Sequence, residues 1–270
     1  MLKNLHAIEN QYTTYLVDMV GVMYDGIHPF EGSIHAVKQL LKNSKQIIFL
    51  SNTPRQSVHV KNKLSAFGLF GDYHIVTSGD LMHHLLAHDL AQKNIYHLGH
   101  RQGSSLLQGI KLNLTSTLDH ADAVLIACSA KTQKDIALFD DELEEIRKSQ
   151  KPAYCSNPDQ IAFNGAYTFF PSGYFANKLH LMGGNVIDLG KPSPLIYEFI
   201  SQAHPHISIN KSTALMIGDT LETDIQGATN FGVDSLLVLS GVTGLSVNKS
   251  NNFLQQFHYQ PTYTMQALRY

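Results

Sequence analysis

The sequence predicts an α/β fold with a doubly wound parallel sheet, because apolar strand-like runs alternate with segments of helical periodicity. In chain order these are YLVDMV, SIHAVKQLLK, QIIFLSN and RQSVHVKNKLSAFG. Thr53 and Pro54 suit the cap and first position of the second of these helices, and Gly68 suits its end. The pattern returns late in the chain as TALMIGD, ETDIQGATNF and DSLLVLS.

We expect the two ends of the chain to contribute strands to one sheet, because neither has enough strands for an independent sheet. We therefore expect residues 1–78 and 186–270 to form one core domain, with residues 79–185 inserted into it. The insertion has an α/β pattern of its own. Its predicted strands are NIYHLG and ADAVLIACSA, and its predicted helices are IALFDDELEEIRKS and SGYFANKLHLMG.

Composition excludes several classes of function. The 270 residues are 43% hydrophobic, which supports a substantial core, and their net charge of −2 gives no basic surface for nucleic acid or an anionic membrane. The N-terminus lacks a signal-peptide pattern, and no apolar run approaches the roughly 20 residues needed to span a bilayer. We expect a cytoplasmic protein. Cys128 and Cys155 lie in apolar contexts and are expected to be reduced thiols.

Polar residues follow the first two predicted strands. Asp18 ends the first and is followed by Gly21, which places a carboxylate at the carboxyl edge of the sheet, where ligands bind in such folds. Taken alone, so short a pattern favours a solvated carboxylate or a helix cap over a functional role for Asp18. Ser51, Asn52 and Thr53 end the second strand, where a hydroxyl and backbone N–H groups can hold phosphate oxygens, although simple capping also explains Thr53.

Two later segments carry charge to the same edge. Lys191 precedes the predicted helix SPLIYEFISQA and is either a fixed cation beside a carboxylate and a phosphate, or an isolated surface lysine. In GDTLETD an apolar strand delivers Asp219 and Asp224 into one turn, where Thr223 and Asp224 are alternatively helix caps. Asp18 and Asp219 across adjacent strand ends suit Mg²⁺, which prefers hard oxygen ligands.

In this order, Asp18 with GV, Ser51-Asn52, Lys191-Pro192 and GDTLETDI resemble the four motifs of the haloacid dehalogenase (HAD) superfamily. The long insertion, which contains Asn157-Pro158-Asp159, resembles the large α/β cap of subclass IIA, the nitrophenylphosphatase, pyridoxal phosphatase and nucleotide phosphatase branch. The resemblance implies a Rossmann-like core, an inserted α/β cap, and a phosphatase that acts on a small phosphorylated metabolite. It leaves open whether the chain forms a homodimer.

The resemblance also implies a role for each matching residue. Asp18 would attack phosphorus and form an aspartyl phosphate, a known use of carboxylate nucleophiles, with Ser51 and Lys191 completing the catalytic set. The residues expected to contact phosphate or substrate are Gly21, Ser51, Asn52, Thr53, Asn157, Asp159 and Lys191, although Asn157 and Asp159 also suit a plain turn. The implied Mg²⁺ ligands are Asp18, the backbone carbonyl of Val20, and Asp219, with Asp224 as a further ligand or a support.

One position departs from the family pattern. The family reads Asp-x-Asp-Gly, and its second Asp is the acid and base, whereas this chain has Val20 there. In this respect the chain resembles a bacterial subgroup of the branch that reads Asp-Val-Trp-Gly-Val and lacks the same Asp. A positioned acid/base contributes about 10²–10⁴-fold in rate. We expect slow or leaving-group-selective hydrolysis, in which acyl and aryl phosphates suffer least. The alternatives are a protein that binds a phosphorylated ligand without turnover, and replacement of the missing acid by Asp25 or Tyr24.

Overall fold

The computed structural model describes residues 1–99, 107, 109–164, 167–247 and 257–270. The chain divides into two compact units. The core unit comprises Met1–Ser51, Val58–Val76 and Lys191–Tyr270, and the inserted unit comprises Asn52–Ser57 and Thr77–Gly190. The inserted unit thus reaches a few residues beyond the expected range 79–185 at both ends.

The described residues contain strands and helices in alternation along most of the chain. The strands are β1 (Thr14–Val17), β2 (Gln46–Ser51), β3 (His74–Thr77), β4 (Asn94–Leu98), β5 (Asn113–Thr115), β6 (Ala123–Ile126), β7 (Ala153–Cys155), β8 (Ala162–Asn164), β9 (Tyr167–Phe169), β10 (Val186–Asp188), β11 (Ala214–Gly218), β12 (Asp234–Val238) and β13 (Tyr263–Met265). The helices are α1 (Glu31–Lys42), α2 (Ser57–Ala66), α3 (Ser78–Ala87), α4 (Gln133–Ala137), α5 (Asp140–Ser149), α6 (Ser172–Leu181), α7 (Pro194–Ala203), α8 (Gln226–Phe231) and α9 (Val242–Val247).

The core unit is built on a sheet with the strand order β13-β12-β11-β1-β2-β3. Strand β1 pairs in parallel with β11 on one side and β2 on the other, and β12 and β13 continue the parallel pairing. Every residue of β1 and β11 is buried, as expected for central strands covered on both faces. The prediction of a doubly wound parallel sheet is confirmed.

The helices of the core unit bury one apolar face. In α1, Ile34, Val37 and Leu40 recur every three residues and are all buried in the main hydrophobic cluster. Helix α7 begins with Ser193 as its cap and Pro194 in its first turn, and it buries Ile196 and Ile200. The cap and the proline thus place the start of α7 three residues after Lys191.

The prediction that Thr53 and Pro54 begin the second helix is wrong, because α2 begins at Ser57. The reason is a contact that sequence periodicity does not reveal: the N–H and hydroxyl of Ser57 both donate to Asp80 Oδ1, at 2.9 and 3.1 Å. The carbonyl of Thr53 accepts from the Ser78 hydroxyl at 3.1 Å. The start of α3 thus holds residues 53–56 in a loop before α2.

The inserted unit contains a parallel sheet in the order β10-β7-β6-β4-β5 and an antiparallel pair, β8 and β9. Strand β10 pairs with β7, although its residues fall in the range expected for the core. The segment expected to be one helix, IALFDDELEEIRKS, forms parts of two, α4 and α5, with a break at Leu138 and Phe139.

Both cysteines are buried free thiols, in agreement with the sequence prediction. Burial raises the pKa of Cys128 and of Cys155, so neither thiol has the character of a nucleophile. None of the helices in the described ranges combines the length and the apolar character that a bilayer span requires.

Candidate active site

Three neighbouring strands bring polar residues to one edge of the core sheet. Val17 pairs with Ile217 of β11 and with Phe49 of β2, so the residues that follow these strands emerge together. They are Asp18 after β1, Ser51 at the end of β2, and Asp219 after β11, and all are buried. This edge is the predicted ligand edge of the sheet.

Lys191 is the cation of this site. Its Nζ donates to Asp18 Oδ1 at 2.5 Å and to Asp224 Oδ1 at 2.7 Å, and its side chain is only 1% exposed. Burial alone would lower the pKa of Lys191, but the carboxylates of Asp18 and Asp224 outweigh burial and raise it. Lys191 is therefore a fixed positive charge, and the surface-lysine interpretation is wrong.

Asp224 is anchored through both oxygens. Besides the bond from Lys191 to Oδ1, its Oδ2 accepts the backbone N–H groups of Asp219 and Thr220, each at 3.1 Å. The residues Leu221–Ile225 form a π-helical turn, a conformation that is frequent at functional sites. This turn brings the Asp224 carboxylate to the backbone that follows β11. Gly218 makes room for it, because a Cβ there would lie 2.1 Å from the Asp224 Cβ. These contacts indicate that Asp224 supports the other residues of the site.

Asp219 is enclosed by backbone from two loops. Its Oδ2 accepts the N–H of Val242 at 2.6 Å, at the first residue of α9. A Cβ on Gly21 would lie 2.4 Å from Asp219 Oδ2, and one on Gly241 would lie 1.9 Å from it. Burial, followed by the charges of Asp18 and Asp224, raises the pKa of Asp219 well above its ordinary value. The carboxylate thus sits in a tight cradle that disfavours its charge.

The sequence analysis does not predict that the segment from Ser240 to Thr243 belongs to the site. The Ser240 hydroxyl donates to the Gly21 carbonyl at 2.6 Å, and the Thr243 hydroxyl accepts the Leu221 N–H at 3.3 Å. The available signal was position: this segment follows β12, the neighbour of β11, and parallel strands end at the same edge.

Asp18, Asp219 and Asp224 form the carboxylate centre of the site. One oxygen of each lies within 4.8 Å of the others, and no other such cluster of His, Cys, Asp or Glu occurs in the described ranges. When all three carboxylates are ionised, Lys191 offsets only one of the three negative charges, which leaves an excess of two for a bound cation to offset. Hard oxygen ligands and this excess charge fit a divalent cation such as Mg²⁺.

Val20 offers no titratable group at the position that the resemblance assigns to the acid and base. Its side chain is partly buried and packs against the main hydrophobic cluster. The turn around it is tight: Gly21 has φ +89° and its N–H donates to the Tyr24 carbonyl at 2.8 Å. The valine is thus accommodated as an apolar residue of the turn.

Asp25, one of the two expected substitute acids, makes hydrogen bonds to residues of its own turn. Its Oδ1 accepts the N–H groups of Ile27 and His28 at 2.8 and 2.7 Å, and Oδ2 faces the His28 ring at 3.3 Å. The backbone bonds from His28 and Ile27 lower the pKa of Asp25. An acid that is ionised at neutral pH cannot donate a proton, so this geometry disfavours the substitution. Tyr24, the other substitute, is buried, with Lys63 Nζ 4.1 Å from the centre of its ring.

The remaining predicted site residues belong to the inserted unit. Asn52 Nδ2 donates to Asp159 Oδ1 at 2.8 Å, which joins the loop after β2 to the loop after β7. The Asp159 N–H donates to Asn157 Oδ1 at 3.2 Å, a turn-forming contact. The structure thus brings Asn52, Asn157 and Asp159 together within this unit, where Thr53 also lies.

Comparison with known proteins gives a consistent result. Residues 15–113 match the family model described as haloacid dehalogenase-like hydrolase, and residues 188–269 match the model described as HAD-hydrolase-like. An acid sugar phosphatase of Staphylococcus saprophyticus is 23% identical over 95% of both chains. The 5'-nucleotidase YutF of Bacillus subtilis is 28% identical over 86% of this chain and 89% of its own. The crystal structure of a haloacid dehalogenase-like hydrolase from Brucella suis 1330 has a TM-score of 0.83 and 26% identity, and covers 99% of this chain and 100% of its own.

Proposed function

Because the chain belongs to the haloacid dehalogenase superfamily and is a phosphatase of that type, we propose that it hydrolyses a small phosphate monoester, or an acyl or aryl phosphate, through a phosphorylated Asp18. The observation that carries this proposal is the contact of 2.5 Å between Lys191 Nζ and Asp18 Oδ1 beside the buried Asp219. It supports a positioned carboxylate nucleophile next to a fixed cation.

The proposed chemistry has two steps. An Asp18 carboxylate oxygen attacks phosphorus, and the bond from phosphorus to the leaving oxygen breaks with the electron pair on that oxygen. Water then cleaves the aspartyl phosphate, which releases inorganic phosphate and restores Asp18. Lys191 holds Asp18 in place and offsets negative charge as the phosphoryl group approaches.

Mg²⁺ is the metal that we propose for the carboxylate centre, held by Asp18, Asp219 and the backbone carbonyl of Val20, with Asp224 in support. When bound, it supplies positive charge that stabilises the transferring phosphoryl group. The three clustered carboxylates support this assignment.

Val20 narrows the range of substrates. Without a proton donor at this position, a leaving oxygen must depart as an anion, which acyl and aryl phosphates tolerate far better than alkyl phosphates do. The loss corresponds to about 10²–10⁴-fold in rate for leaving groups that need protonation.

We further propose that residues 79–185 act as a cap domain that selects the organic part of the substrate. In this proposal Gly21, Ser51, Asn52 and Thr53 contact the phosphate. The loop that holds Asn157 and Asp159 contacts the rest. The names of the relatives, acid sugar phosphatase and 5'-nucleotidase, support sugar phosphates and nucleotides as the first classes to test.

The test is phosphate release in the presence of Mg²⁺ from acetyl phosphate, nitrophenyl phosphate and a sugar phosphate. We expect the wild type to release phosphate from the first two, and Asp18→Asn to abolish this release. Val20→Asp is expected to raise the rate most for the sugar phosphate, by about 10²-fold or more.

Two outcomes would contradict the proposal. Equal release by the wild type and Asp18→Asn would exclude Asp18 as the nucleophile. Phosphate binding without release by the wild type, for every substrate, would favour a binding protein. If the wild type is active but Val20→Asp does not raise the rate of phosphate release, only the argument about leaving groups would be contradicted.

A further inference from the structure

We propose that His74, His204 and His206 of the core unit form a binding site for a transition metal ion such as Zn²⁺, made of residues other than those of the carboxylate centre. His74 is the first residue of β3, His204 follows α7, and Pro205 separates His204 from His206. None of these residues has a part in the proposed phosphatase chemistry.

The spacing of the three rings is the first argument. Their centroids are 4.9 Å apart for His74 and His204, 5.2 Å for His74 and His206, and 6.1 Å for His204 and His206. A zinc–nitrogen bond of about 2.0–2.1 Å puts each ring centre about 3.2 Å from the metal. Tetrahedral ligation then separates ring centres by about 5.2 Å. The observed triangle has the dimensions of such a site.

The tautomer of His204 is the second argument. Its Nε2 lies 3.2 Å from the carbonyl oxygen of Ile75, and a carbonyl only accepts, so this nitrogen carries the proton. The lone pair of Nδ1 is then available for a metal. A metal-bound histidine commonly donates its other N–H to a backbone carbonyl, which fixes the orientation of the ring.

A fourth ligand is available close to His74 in the chain. Asp72, two residues earlier, or a water molecule would complete a four-ligand shell.

The site requires a small rearrangement. Within the described part of the chain, nitrogen, sulfur or oxygen ligands from three side chains already converge within 4.8 Å only at the carboxylate centre. The His74 and His206 rings must therefore turn to direct one nitrogen each toward the ion. His206 is exposed, which leaves its ring room to rotate. A bound ion would link the start of β3 to the segment after α7, about 130 positions apart in sequence, and so stabilise the folded core.

The experiment is calorimetric titration of the full chain with ZnCl₂ in excess Mg²⁺, combined with thermal unfolding with and without Zn²⁺. The variants are His206→Ala, which alters an exposed residue, and His74→Ala. Two controls accompany them. His84→Ala with His88→Ala removes another close pair of rings, 4.5 Å apart, and Asp219→Asn alters the carboxylate centre.

We expect the wild type to bind one Zn²⁺ at this site and to unfold at a higher temperature when it is bound. His206→Ala and His74→Ala should each weaken that binding about tenfold or more, and both controls should keep it. Unchanged zinc affinity in His206→Ala would overturn the proposal. So would loss of the site in either control, since the ion would then lie on α3 or at the carboxylate centre.

Discussion

Lys191 Nζ lies 2.5 Å from Asp18 Oδ1, and both side chains are shielded from solvent. The same nitrogen donates to Asp224 at 2.7 Å. A buried ion pair contributes little net stability, but removing one partner leaves an uncompensated charge and costs about 3–5 kcal/mol. Lys191 therefore stabilises the folded site in addition to its proposed catalytic role.

We expect Lys191→Met to lower the free energy of unfolding by about 3–5 kcal/mol in the absence of divalent metal. Added Mg²⁺ should restore part of this loss, because it offsets the charge of the same carboxylates. Phosphate release should fall about 10²-fold or more. Denaturant unfolding and the release assay measure the two effects.

The matched control is Lys178→Met, which removes a lysine from a surface pair with Asp140 at 2.6 Å. Exposed pairs contribute about 0–1 kcal/mol, so this variant should remain near wild-type stability and activity. Equal stability of the two variants would show that Lys191 is not the counterion that holds the site together.

Gly21 is expected to be irreplaceable for two separable reasons. Its φ of +89° is unfavourable for other residues, and a Cβ would lie 2.4 Å from Asp219 Oδ2. Gly183 has nearly the same φ, +87°, but a Cβ there meets nothing within 4 Å. Gly21→Ala and Gly183→Ala thus share the backbone cost of about 1 kcal/mol and differ in the clash.

Gly183→Ala should keep full activity with a small loss of stability, whereas Gly21→Ala should displace Asp219 and abolish phosphate release. Melting temperature, together with the Mg²⁺ concentration needed for half-maximal activity, would report both effects. Activity in Gly21→Ala at ordinary Mg²⁺ concentrations would mean that the Asp219 cradle is not required.

The core sheet could be predicted from the sequence because strand periodicity and the order of polar strand ends are local signals. The approach of Asp18 and Asp219 followed from the parallel topology, since such strands end at one edge. The approach of Lys191 did not follow from it, because the strand before Lys191, β10, pairs in the other sheet, and only the family resemblance placed this lysine in the site. The start of α2 could not be predicted, because Asp80 caps it from a distant segment. The cradle made by Gly241 and Val242 was missed for a similar reason, since it consists of backbone groups that no side-chain motif identifies.

The hypothesis that Asp25 or Tyr24 replaces the missing acid can be tested with substitutions that remove the proton donor from each residue. Asp25 is partly exposed, bonded to the backbone of Ile27 and His28, and has a lowered pKa, so it should not protonate a leaving group. We expect Asp25→Asn and Tyr24→Phe to change kcat for a sugar phosphate, whose leaving group needs protonation, by less than about threefold. A drop of about 10²-fold in either variant, with its melting temperature intact, would identify the missing acid.

The raised pKa of Asp219 predicts how magnesium and pH act together. Burial, and then Asp18 and Asp224, raise this pKa in the folded chain, so the folded state favours the protonated acid. The cost of ionising Asp219 is therefore absent below the ordinary carboxyl pKa of about 3.9 and grows as pH rises toward the folded value. Mg²⁺ binds the ionised form, so protons and Mg²⁺ compete for the site.

The increase in melting temperature caused by Mg²⁺ should accordingly be larger near pH 8 than near pH 5. Asp219→Asn should abolish most of this increase and, without Mg²⁺ at neutral pH, should be more stable than the wild type, because it removes one of three crowded buried carboxylates. Thermal scans at matched ionic strength would measure both effects. An increase independent of pH, or a less stable Asp219→Asn chain without metal, would show that Asp219 is ionised at no cost in the folded protein.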